Sequence, residues 1–207
     1  LTTPPCHFQT LVTSLVVTYL KPKKQKEFTM SQRCVVLTGM MGAGKTEVGE
    51  LLAENLGYTF IDTDHLIEKR AKKKITLIFE EHGEEFFRDL ESEVIQSLVG
   101  TQNSVVSVGG GACIREVNRL VFKGLGHVVY LKASARELYY RLKNDTTRPL
   151  LRVENPQEAF KNLLAEREKF YTDAANITID TEHLSIDEVT DELIDHLARL
   201  TVETQFE

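Results

Sequence analysis

Short apolar runs alternate along the chain with longer stretches in which apolar residues recur every third or fourth position. The short runs, Arg33 to Thr38, Tyr58 to Ile61, Ser104 to Val108, His127 to Leu131 and Asn176 to Ile179, predict five strands. The longer stretches predict helices. One runs from Lys45 to about Asn55, with Val48, Leu51, Leu52 and Leu56 on one face and Gly57 as its cap. Two more cover about 63–73 and 76–99, broken near His82-Gly83, and a weak one covers about 115–123. Ser134-Ala135-Arg136-Glu137 reads as a capping box for a helix to about Lys143. Asn155-Pro156-Gln157-Glu158 reads as an N-cap, a first-position proline and a first-turn acid. Ser185 to Glu188 caps a last helix with Ile186, Val189, Leu193, Leu197 and Leu200 on one face. Strands without polar alternation, separated by helices, imply an α/β fold: a five-stranded parallel sheet flanked by helices on both faces.

Composition narrows the function classes. The 207 residues suit one domain with a sizeable core, and 42% hydrophobic with 27% charged content is ordinary for a globular protein. A net charge of −6 argues against nucleic-acid binding, which needs a basic surface, and favours small-molecule chemistry. Cys6, Cys34 and Cys113 are too few and too far apart for a disulfide framework or metal site, so a reducing compartment is expected. Residues 1–29 differ from the rest: Leu11 to Leu20 is mostly apolar, but it is about half the ~20 residues a membrane span requires. Its lysines follow the apolar run, the reverse of a secretory signal. The segment is read as a disordered extension before a domain that begins at Met30, with no membrane partner.

The candidate chemistry begins at Gly39-Met40-Met41-Gly42-Ala43-Gly44-Lys45-Thr46, a G-x-x-x-x-G-K-T loop between a strand and a helix. Glycines let such a loop turn backbone N–H groups inward, and the lysine and the helix N-terminus add positive charge for nucleotide phosphates. Thr46 would offer its hydroxyl to Mg2+. Asp62 and Asp64 lie at the carboxyl end of the second strand, where open parallel sheets bind ligands; one suits a metal shell and the other an acceptor. Asp62 or Thr63 could equally cap the helix that follows.

Three further features mark an acceptor site. Arg167 falls inside the apolar stripe of Phe160, Leu163, Leu164 and Tyr171, so it needs an anion there, either a ligand carboxylate or a structural acid. Arg88, at the edge of the face made by Phe86, Phe87, Leu90, Val94 and Ile95, either joins it or pairs with Glu84 or Glu91. Gly109-Gly110-Gly111 after a strand implies an approach too close for a Cβ. Arg148-Pro149 lies in an unpatterned stretch suited to a lid, or to a solvated loop. Cys113, beside the glycines, is read as an inert buried thiol rather than a reactive one.

Together these residues resemble shikimate kinase. The resemblance is carried by the loop 39–46, Asp62-Thr63-Asp64 with Ile67-Glu68, Phe87-Arg88 with Glu91, the glycines 109–111, Thr147-Arg148-Pro149-Leu150-Leu151, and Glu166-Arg167 before Tyr171. It implies ATP-dependent phosphorylation of the 3-hydroxyl of shikimate and a nucleoside monophosphate kinase-like fold, with a substrate subdomain at about 62–92 and a lid at about 144–155. It implies an ATP site of Gly42, Ala43, Gly44, Lys45, Thr46, Glu47, Arg141 beside adenine and Arg148 from the lid. The acceptor site would comprise Asp64, Arg88, Gly109, Gly110, Gly111 and Arg167, with Lys45, Asp64 and Arg148 as the catalytic set and Asp62 reaching one Mg2+ through water. A cytoplasmic monomer is expected. The competing readings are a gluconate kinase-like sugar-acid kinase and a kinase-like binding module without turnover. One departure stands out: Glu47 occupies a position where the family usually has a small or neutral residue. A carboxylate ~8 Å from the phosphates costs roughly 0.5–2 kcal/mol per phosphate charge.

Overall fold

A computed structural model describes residues 33–145 and 153–203. The readings of residues 1–29, of Arg148 and of most of the proposed lid lie outside the described residues.

The strands are β1 (Cys34–Thr38), β2 (Thr59–Asp62), β3 (Ser104–Ser107), β4 (Gly126–Lys132) and β5 (Ile177–Asp180). The helices are α1 (Lys45–Leu56), α2 (Thr63–Ala71), α3 (Ile75–Gln96), α4 (Glu116–Leu125), α5 (Ala135–Leu142), α6 (Pro156–Ala174) and α7 (Ile186–Glu203), with one 3-10 turn at Ala112–Ile114. All strand pairs are parallel, in the order β2-β3-β1-β4-β5. The central strand β1 is wholly buried, with Val35 opposite both Val105 and His127, which is why its sequence shows no polar alternation. Helices α1 and α7 pack together on one face of the sheet, and α4 and α6 cover the other.

The helix ends follow local chemistry. Asn155 Oδ1 accepts the Glu158 N–H at the start of α6, and Pro156 follows at the first helical position. Ser185 and Glu188 form the reciprocal box expected for α7. The box at Ser134 closes on one side only: Ser134 Oγ accepts from Glu137 N–H, while the Glu137 carboxylate turns to Arg141 at 2.9 Å. The α3 axis breaks at Gly83 (φ 80°, ψ 179°), where the sequence placed a break, so α3 is two helical segments across a kink. Ile67, Ile78, Phe87 and Val94 bury each other in a small cluster separate from the main core. Helices α2 and α3 therefore carry their own apolar centre beside the sheet.

One glycine fixes how β4 enters the sheet. A Cβ on Gly126 would overlap the Cys34 carbonyl oxygen and lie 2.9 Å from the Cys34 nitrogen, both backbone atoms of the neighbouring central strand. Gly126→Ala is therefore expected to lower unfolding stability by roughly 2–4 kcal/mol, because backbone in a sheet centre cannot move aside cheaply. Urea unfolding followed by circular dichroism checks this.

Candidate active site

The carboxyl ends of β1, β3 and β4 meet where the chain crosses from one half of the sheet to the other, the position at which open parallel sheets hold ligands. From β1 comes the loop 39–44. Gly42 and Gly44 take left-handed backbone, φ 82° and 85°, which turns successive N–H groups inward. Gly44 caps α1 without a side-chain acceptor, so the helix N-terminus is left for an anion. Lys45 Nζ donates to the carbonyls of Gly39 and Met40 at 3.0 and 3.1 Å, which holds its charge against the loop. A cavity of about 470 Å3 opens here, lined by 41–48, Asp62, Asp64, Gly109, Gly110, Arg141 and the segment around Thr181 to Ile186. Arg141 donates to the Thr181 carbonyl at 2.6 Å and to Gly42 O at 3.5 Å, joining α5 to the loop and to the turn after β5.

The glycine turn after β3 forms the opposite wall. None of Gly109, Gly110 and Gly111 has positive φ, so their role is space rather than conformation. A Cβ on Gly109 would lie 2.9 Å from both Asp64 Oδ1 and Glu91 Oε1, and one on Gly111 would lie 2.5 Å from Arg88 Nη1. Gly110 is the looser of the three, its nearest neighbour being the Met41 nitrogen at 3.5 Å. The turn thus brings Asp64, Arg88 and Glu91 against one backbone and sets that backbone against the phosphate loop.

Each side chain resolves an alternative that its sequence position left open. Asp62 does cap α2, its Oδ1 accepting the His65 N–H at 3.1 Å, while the residue also lines the cavity. Buried Thr63 does not cap; its Oγ1 accepts the Gly109 N–H at 3.2 Å and ties α2 to the glycine turn. Arg88 is paired, to Glu91 at 2.8 Å and Glu84 at 3.1 Å. Burial opposes its charge, but the two carboxylates more than offset that and hold its pKa above the usual value. Glu91, 1% exposed, also has its pKa raised, by burial and by Asp64 against the pull of Arg88. Its Oε1 has no hydrogen-bond partner among the described residues. Arg167 is half-buried, and no carboxylate forms an ion pair with it among the described residues; its Nη1 donates to the Gly110 carbonyl at 3.4 Å, and its charge also acts on Glu91 and Tyr171, drawing both pKa values down against burial. Among the described residues the structural ion pair is therefore present at Arg88 and absent at Arg167. Cys113 is 1% exposed with its thiol raised to about 11 by burial, which makes it inert, as its position implied.

These features match a known family. The family model for shikimate kinase matches residues 41–198. The chain belongs to the shikimate kinase family. It is 48% identical over 161 residues to the shikimate kinase of Geobacter sulfurreducens, covering 78% of this chain and 88% of that one. The shikimate kinase of Thermodesulfovibrio yellowstonii is 42% identical over 167 residues, 81% of this chain and 96% of the relative. Among solved structures, shikimate kinase from Acinetobacter baumannii in complex with shikimate superposes with a TM-score of 0.76 at 37% identity, covering 86% and 97% of the two chains. A gluconokinase from Sinorhizobium meliloti shares the fold, with a TM-score of 0.54 at 20% identity. The enzyme is thus a shikimate kinase, a transferase of aromatic amino-acid biosynthesis that draws on ATP. No helix among the described residues is long and apolar enough to cross a membrane.

Helical spacing alone marks Glu91 only as a possible partner for Arg88 and Tyr171 only as part of an apolar stripe; both also accompany the arginines in the motifs that carry the family resemblance, but neither is assigned a role by it. The signal for Glu91 was its spacing of three residues from Arg88 on a face that is otherwise apolar.

Glu47 is exposed in the first turn of α1, lines the cavity, and makes no ion pair among the described residues. Its charge complements the positive end of the α1 helix dipole and opposes an incoming triphosphate. Glu47→Thr is expected to lower KM for ATP by roughly two- to tenfold, with the gain shrinking as salt is raised and KM for shikimate unchanged. Steady-state kinetics at two ionic strengths check this.

Proposed function

We propose that the enzyme transfers the γ-phosphoryl group of ATP to the 3-hydroxyl of shikimate by in-line displacement, with the nucleotide over loop 39–46 and the acceptor against the glycine turn. The observation that carries this reading is the convergence of Asp64, Arg88 and Arg167 on residues 109–111 at the lip of the phosphate-loop cavity. Arg167, which lacks an acidic partner among the described residues, and Arg88 hold the shikimate carboxylate; a planar guanidinium suits a carboxylate's two oxygens. Gly109, Gly110 and Gly111 offer a flat backbone face to the ring. Asp64 orients the ring hydroxyls and takes the proton of the attacking one. The acceptor oxygen then bonds to the γ-phosphorus, the bond to the β-γ bridging oxygen breaks, and ADP leaves. Gly42, Ala43, Gly44, Lys45, Thr46 and Glu47 surround the phosphates and Arg141 flanks the base, while Lys45 and the lid residue Arg148 offset charge on the moving phosphoryl group.

The donors fit one Mg2+. No three His, Cys, Asp or Glu residues among the described ones form a metal cluster, so a resident ion held by protein alone is not supported. The Thr46 hydroxyl and Asp62, which line the same cavity, would hold a cation that keeps most of its water, Asp62 acting through one of those waters. Mg2+ held there would spread the phosphate charge.

In this reading α2 and α3 act as a substrate subdomain at about 62–92, consistent with their separate apolar cluster, and 144–155 closes as a lid. The enzyme works as a cytoplasmic monomer, a setting that agrees with free Cys34 and Cys113 thiols.

The test is a coupled ADP-release assay with shikimate, quinate, gluconate and AMP as acceptors, on the wild type and on Arg167→Ala. Turnover with shikimate alone is expected, with kcat/KM lowered roughly 100-fold or more by the substitution, the scale of losing a charged pair. Turnover with gluconate would favour the sugar-acid kinase, ATP binding without turnover would favour an inert module, and an unaffected Arg167→Ala enzyme would remove the carboxylate clamp.

A further inference from the structure

Tyr171 is a buried phenol on α6, 1% exposed, and nothing in the proposed chemistry uses it. Its ring stacks on that of Tyr130, with centroids 5.2 Å apart, and its hydroxyl enters the glycine turn. The hydroxyl donates to the Gly110 carbonyl at 2.5 Å, and the Met40 sulfur lies 3.8 Å away. Arg167 Nη1 donates to the same carbonyl from one helical turn earlier, at 3.4 Å. Two donors on α6 therefore share one acceptor, and the shorter bond is the tyrosine's.

The consequence follows from peptide geometry. A trans peptide is planar with its N–H opposite its C=O, so fixing the Gly110 carbonyl toward α6 fixes the Gly111 N–H in the opposite direction. Gly111 is buried, and its N–H finds no hydrogen-bond acceptor among the described residues; neither does the N–H of Gly110. Their neighbours are satisfied: Gly109 N–H by Thr63 Oγ1 and Ala112 N–H by the Gly109 carbonyl. Two adjacent unpartnered donors at a turn shared with Asp64, Arg88 and Arg167 form a site for acceptor oxygens. Glycine alone would not hold that arrangement, since it is the residue with the most backbone freedom to lose.

We infer that Tyr171 is a positioning residue: through the Gly110 carbonyl it locks the 110–111 peptide so that the Gly111 N–H faces the bound acceptor, and it leaves Arg167 free to turn toward the acceptor carboxylate. This rests on the proposed placement of shikimate against the glycine turn. Burial holds the phenol pKa up at about 12, so the donor persists across the working pH range.

Tyr171→Phe keeps the ring and removes only the donor. KM for shikimate is expected to rise roughly three- to tenfold, the scale of one hydrogen bond, with KM for ATP unchanged and kcat within about twofold. A structural role would move the melting temperature without separating the two KM values. The chain offers a direct spectroscopic readout, since its only Gly–Gly bonds are 109–110 and 110–111. Glycine-labelled protein therefore gives two Gly–Gly cross-peaks in a carbonyl-correlated amide spectrum. The Gly110 carbonyl carbon is expected to move upfield in Tyr171→Phe and the Gly109 carbon to stay. Unchanged shikimate KM, or an unmoved Gly110 carbonyl, would overturn the inference. Absence of shikimate turnover in the wild type would instead overturn the site reading on which it rests, and the spectrum would still report the hydrogen bond.

Discussion

The site depends on a steric fact: a guanidinium occupies the space that a side chain at position 111 would need. Arg88 lies over Gly111 closely enough that an added Cβ would collide with it, and Asp64 and Glu91 crowd Gly109 in the same way. Because those glycines carry no side chains, three charged groups from α2 and α3 reach the backbone after β3. The same backbone is fastened by Thr63 from α2 and by Tyr171 and Arg167 from α6. The glycine turn is thus where the sheet, the α2–α3 unit and α6 meet, and it faces the phosphate loop across one cavity.

Charge in this region is arranged in unequal pairs. Arg88 is matched by Glu91 and Glu84, so it is already compensated when the site is empty. Arg167 rests on a carbonyl dipole, a weaker partner than a carboxylate. An incoming acid therefore gains most at Arg167, while Arg88 contributes direction. The buried Glu91 keeps Arg88 in place, and removing either partner would strand the other; a lone buried charge is strongly destabilising, by about 3–5 kcal/mol.

Much of this was readable from the chain. The five strands and their parallel pairing follow from short apolar runs separated by helices, though their order in the sheet does not, and the helix starts at Asn155 and Ser185 follow from capping residues whose bonds are present. The phosphate loop is a local motif and was legible in full. Arg88 was not decided, because a guanidinium at the edge of an apolar face looks the same whether its partner is a ligand or a glutamate one turn away. Arg167 stood out because no acid is spaced to meet it along α6. The roles of Glu91 and Tyr171 were not legible for a different reason. Their importance comes from contact with a glycine turn distant in sequence, and helical spacing carries no information about that. The strand ends shifted by a residue or two where a terminal residue serves two elements, as Asp62 does in ending β2 and capping α2.

The central claim is that the acceptor site exists because position 111 has no side chain. The direct measurement is calorimetric binding of shikimate and of ATP to Gly111→Ala, beside the wild type. The account requires that shikimate affinity fall by at least about tenfold as Arg88 is displaced, with ATP affinity within about twofold of the wild type. If Gly111→Ala binds shikimate as the wild type does, Arg88 and the glycine turn do not form the acceptor site.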